Sequence, residues 1–125
     1  MGVTDYRQLK VWQSGVQLVK SAYVLSQQFP KDELYGLTSQ MRCAAVSIPA
    51  NIAEGHARDS TREYLHYISI ALGSLAELET MFVLAQELGY SDEATIDALL
   101  QHSSEEGRML HALQRVLKSK LAPNP

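Results

Sequence analysis

The chain has 125 residues, a formal net charge of −3, 46% hydrophobic and 20% charged residues. One domain of ordinary size fits that length, and the apolar fraction excludes wholesale disorder. The single cysteine, Cys43, excludes an internal disulfide and a four-cysteine zinc site.

Four helices are predicted in chain order, over about 6–28, 37–54, 61–88 and 92–120. In the first, Leu9, Trp12, Val16, Val19 and Tyr23 step by three and four along one stripe. A second stripe, Val11, Leu18, Ala22, Leu25 and Phe29, lies beside it, and Phe29-Pro30 ends the helix. The second helix carries Leu37, Met41, Ala44/Ala45, Ile48 and Ile52 on its apolar side. Pro49 is expected to kink it, and Gly55 to end it in the left-handed region. Small residues at Ala44, Ala45, Ser47 and Ala50 permit close approach by a neighbour.

The third helix opens on a capping box, Ser60-Thr61-Arg62-Glu63. Tyr64, Ile68, Ala71, Leu75, Leu78, Phe82 and Ala85 then hold a steady four-three rhythm up to Gly89. Ser91 or Asp92 caps the fourth helix, whose apolar face is Ile96, Leu99, Leu100, Leu110, Leu113 and Leu117. Ala122 to Pro125 reads as a frayed tail. No period-two alternation or Asn-Gly turn suggests a strand. Short connections between amphipathic helices imply antiparallel neighbours, so the fold class is all-α. It is a single up-down-up-down antiparallel four-helix bundle spanning 1–125.

Met1 to Asp5 is polar, with no apolar signal region, and no window approaches the roughly 20 uninterrupted apolar residues of a membrane span. A cytoplasmic protein with no membrane partner is the expectation. Bundle cores hold di-iron sites through two Glu-x-x-His motifs, but this chain has only Glu63-Tyr64-Leu65-His66. His102 and His111 are nine apart, about half a turn out of phase. Gly73-Ser74 lacks the strand-turn-helix setting of a nucleophile elbow, and Cys43 among alanines reads as an inert packed thiol. No phosphate-binding glycine loop is present. Gly15, Gly73 and Gly107 are isolated within helices, where each costs about 1 kcal/mol against alanine, so all three are expected at close helix contacts. No catalytic, cofactor or metal residues are expected, and the chain does not read as an enzyme.

Glu77 is expected in solvent, whereas Glu79 borders the core stripe and needs a partner, for which Arg42 is the candidate. Ser47 and Asn51 are expected as hydrogen-bonding seams between helices. Two features point outward. The double stripe of the first helix, with Leu65, Leu72, Ala76 and Val83 on the third, exceeds what one small bundle hides, predicting a homo-oligomer. The second is charge. One end collects Arg7, Lys10, Arg58, Arg62, Arg115, Lys118 and Lys120 against Asp5, Glu54, Asp59 and Glu63, for a net +3. The other holds Asp32, Glu33, Glu87, Asp92, Glu93 and Asp97 against Lys31, for −5. Those seven cations are the candidate contacts for RNA or single-stranded DNA, although charges that merely complement helix dipoles give the same pattern.

Tyr6 to Gln13, Tyr35 to Arg42 continuing through Ala45 to Gly55, Gly73 to Thr80, and Leu84 to Tyr90 together resemble one family. It is the bacterial four-helix-bundle proteins known as 23S ribosomal RNA intervening-sequence proteins, and more distantly the accessory variability protein of diversity-generating retroelements. The resemblance implies a homopentameric bundle in the cytoplasm with no known enzymatic activity. Some relatives are encoded inside intervening sequences of large-subunit ribosomal RNA genes. At its signature positions this chain has Arg42, Ser47, Asn51, Glu54, Glu77 and Glu79, read as bundle and assembly determinants. The resulting expectation is a self-assembling scaffold or partner-binding protein, with a nucleic-acid or ribonucleoprotein accessory factor as the alternative.

Overall fold

A computed structural model describes residues 5–121; the polar start before Asp5 and the expected frayed tail from Ala122 lie outside the described residues. Four helices follow one another: α1 Lys10–Ser26, α2 Leu37–His56, α3 Thr61–Glu87 and α4 Glu93–Leu121. Each packs on the next, α4 returns to α1, and neither diagonal pair brings its backbones as close among the described residues. Paired contacts show that neighbours are antiparallel. Ser26 meets Arg42 while Gly15 lies by Pro49, and Ser47 meets Ser74 while Gly55 lies by Tyr64. Glu79 meets Ser103 while Leu75 lies by Gly107, and Ser14 meets His102 while Leu25 shares a groove with Leu99.

The first helix starts later than its periodicity predicts. Tyr6–Gln8 forms a separate 3-10 turn because Asp5 accepts the Arg7 backbone N–H at 2.9 Å and Leu9 takes an extended conformation, φ −74° and ψ 127°. Leu9 is then the N-cap of α1 without a side-chain cap bond. Of the two stripes on α1, the structure selects the second for the core: Val11, Leu18, Ala22, Leu25 and Phe29 are buried. The first lies at the flank, Trp12, Val16 and Val19 half-buried and Tyr23 exposed.

Gly55 does not end α2 in the left-handed region. The helix runs through it to His56, and among the described residues only Gly89 has a positive φ, +78°. Gly55 serves instead as a point of close approach. A Cβ there would stand 2.9 Å from both Tyr64 Cδ1 and Tyr67 Cβ of α3. Gly89 ends α3 with paired bonds: its own N–H donates to the Gln86 carbonyl and the Tyr90 N–H to that of Ala85. That is the double bond pattern of a glycine helix stop. Ser60 caps α3, accepting the Glu63 N–H at 3.1 Å, and Asp92 precedes α4, accepting the Thr95 N–H at 2.7 Å.

The core runs through Leu18, Met41, Ile48, Ile52, Ile68, Leu78, Phe82, Ile96 and Leu110, all fully buried. By length and composition α3 would suffice to cross a membrane, which the sequence expectation did not anticipate. Here its Ile68, Leu75, Leu78 and Phe82 belong to that core. Pro49 lies buried inside α2, and its ring would be 3.5 Å from a Cβ on Gly15.

Candidate functional site

Two regions stand out. The first is a buried polar seam where α1 meets α4. The core rhythm of α1, Val11, Gly15, Leu18, Ala22, contains one residue without a side chain. The matching rhythm of α4, Ile96, Leu99, Ser103, Glu106, Leu110, contains two polar ones. Glu106 is fully buried, and neither carboxyl oxygen has a hydrogen-bond partner. It fits because position 15 is glycine: a Cβ there would stand 3.1 Å from Glu106 Oε2. Burial pushes its carboxyl up to about 7, and only the nearby Ser14 hydroxyl pulls the other way. Ser14 Oγ itself lies 3.1 Å from His102 Nε2. A serine beside a histidine is a nucleophile–base geometry. Neither residue lines the grooves described below.

Sequence reasoning missed Glu106, Ser103 and Ser14. A signal existed: the apolar face assigned to α4 breaks between Leu100 and Leu110, and Ser103 and Glu106 continue its three-four rhythm through the gap.

The second region is an apolar strip along α1 and α2. One groove of about 330 Å3 lies between Trp12, Val16 and Val19 on one side and Val46, Pro49, Ala50 and Ala53 on the other, with Tyr6 at its end. A larger one, about 600 Å3, continues it from Val46 past Tyr23, Leu34, Tyr35 and Cys43. Val46 belongs to both. Tyr35 is 92% exposed and Leu34 51%, high values for side chains of that size. Cys43, expected as a packed thiol, is exposed in this strip, because its turn of α2 faces away from the Met41–Ala45 core side.

The remaining sequence candidates fall into three groups. Arg42 does not pair with Glu79. Its Nε donates to Ser26 Oγ at 2.9 Å and its guanidinium lies 4.6 Å over the Tyr23 ring. Glu79 accepts from Ser103 Oγ at 2.7 Å instead. The register of α2 on α1 holds the arginine at that seam, while Glu79 faces α4. Ser47 and Asn51 come together with Ser74 on α3: the two hydroxyls are 2.8 Å apart, and Asn51 Nδ2 donates to the Ser47 carbonyl at 2.7 Å. Glu77 is exposed. Gly107 sits against Leu75, but Gly73, also expected at a close contact, has nothing near its Cβ position.

At the basic end, Arg7 is held by Asp5 at 3.0 Å and Arg58 by Glu54 at 2.7 Å. Arg58 also donates to Tyr67 Oη at 2.8 Å. Lys10, Arg62, Arg115, Lys118 and Lys120 are exposed and form no ion pair among the described residues. No group of three potential metal ligands comes together among the described residues.

Residues 7–112 match the sequence model of a family described as 23S rRNA-intervening sequence protein. The chain belongs to that family. One solved relative is a protein of unknown function from the S23 ribosomal protein family of Bacteroides thetaiotaomicron, with a TM-score of 0.77 at 19% identity. The match covers 83% of this chain and 97% of that one, and at that identity it shows the fold alone. No curated protein matches the chain. For this member of the intervening-sequence protein family, the buried seam and, apart from Tyr6, the apolar strip lie within the matched residues.

Proposed function

We propose that the protein is a non-enzymatic, self-assembling bundle that works in the cytoplasm as a scaffold or partner-binding protein. Its copies join through the α1–α2 strip. The carrying observation is the continuity of that strip through Val46, with Tyr23, Leu34 and Tyr35 exposed beyond it. Contiguous apolar surface of this kind on a small domain marks an interaction site. The resemblance in the sequence makes five copies the expected number.

Light scattering of the purified chain at micromolar concentration tests the reading. A mass of several chains is expected, falling to one chain in Val46→Asp. That side chain is 42% exposed, so the bundle itself should tolerate the change. A monomeric wild type sinks the proposal.

A second reading has its own support. Five exposed cations at one end, in a family whose description refers to 23S rRNA, favour contact with RNA or single-stranded DNA.

A further inference from the structure

Glu106 is fully buried without a hydrogen-bond partner for either oxygen. Little around it favours an ionised carboxylate. The one group that does is the nearby Ser14 hydroxyl, which is shared with His102, and Gly15 of α1 has no side chain to give. Pro49 of α2, behind Gly15, has no N–H. From α3 the titratable group tied to this stretch of α4 is Glu79, itself an acid and bound to Ser103. On α4, His102 lies one turn away, and Glu105 and Arg108 are exposed. The charges of α1, Lys10 and Lys20, are exposed and a turn or more along the helix.

A desolvated carboxylate without a counter-charge or a formed hydrogen bond must either keep its proton or reach water. We propose that Glu106 is a pH-sensitive latch of the α1–α4 seam. With its carboxyl protonated the seam is closed. Loss of that proton to solvent drives the carboxylate towards water and parts α1 from α4, leaving α2 and α3 together. This goes beyond the assembly reading, since α4 flanks α1 on the side away from its strip with α2.

Hydrogen exchange on the full chain at about pH 5.5 and about pH 8, corrected for intrinsic rates, tests the latch. Wild type should show more than about tenfold weaker protection at the higher pH in peptides from α1 and α4, with α2 and α3 changing less. Glu106→Gln should keep its protection at both values. Glu106→Met, an apolar side chain of similar length, serves as a second variant should the amide disturb folding. His102→Gln should behave as wild type. The proposal is overturned if Glu106→Gln loses protection as wild type does, if all four helices lose it equally, or if His102→Gln alone abolishes the effect.

Discussion

A glutamate within the apolar rhythm of a helix changes what pH does to the whole fold. Glu106 binds its proton more tightly folded than unfolded, at about 7 against an ordinary 4.5. Its contribution is therefore most favourable at acid pH. It declines as pH rises from about 4.5 to about 7 and is flat beyond, where both states are ionised. At about 1.4 kcal/mol per unit the total loss is roughly 3 kcal/mol. Asp92 acts in the opposite sense, since the Thr95 side chain and N–H hold its carboxyl below the ordinary range. Its contribution is present above that range and lost on acidification. The difference between wild type and Glu106→Gln isolates the buried group. Urea unfolding should find the variant more stable at pH 8 by up to about 3 kcal/mol, with the gap closing towards pH 5. Equal profiles would show that the buried carboxyl is not what titrates.

At the scale of elements, the same residue type does opposite things. Gly55 lets α3 press its Tyr64 and Tyr67 onto α2, whereas Gly73 on α3 faces open space. Gly55→Ala forces a Cβ to within 2.9 Å of Tyr67 Cβ, an atom that cannot rotate away, and should cost about 1–3 kcal/mol. Gly73→Ala should add up to about 1 kcal/mol through helix propensity. Thermal or urea unfolding of the two variants should move in opposite directions. Their sequence contexts do not announce this difference: both glycines sit in helices, and only the crossing of α2 on α3 tells them apart.

For the whole molecule, four helices and their order were legible in the sequence. The rhythm from Tyr64 to Ala85 has no competing period, and Ser60, Asp92 and Gly89 mark ends with side-chain or left-handed chemistry. The site was less legible. Both stripes of α1 are apolar at helical spacing, so only its neighbours decide which is core. Arg42 found Ser26 rather than Glu79 because partners across a bundle depend on register, which a pattern along one helix does not contain. Glu106 was hidden because an acid within a helix ordinarily reads as solvated. Charge belongs to this scale too. Antiparallel order places the end of α4 at the same end of the bundle as the start of α1. Among the described residues, Arg115, Lys118 and Lys120 form no ion pair there, while Arg7 and Arg58 are tied to carboxylates. Any binding of RNA or single-stranded DNA should therefore weaken steeply with salt. It should be lost in Arg115/Lys118/Lys120→Ala with helix content unchanged, as fluorescence anisotropy and circular dichroism would show.

The position of Trp12 gives the molecule a built-in optical reporter. It is the chain's only tryptophan, its ring edge-on to Tyr6 at 5.3 Å, half-buried on the flank of α1 that faces the Val46 groove. An occupant of that groove shields the indole from water, so its emission wavelength reports occupancy on unlabelled protein.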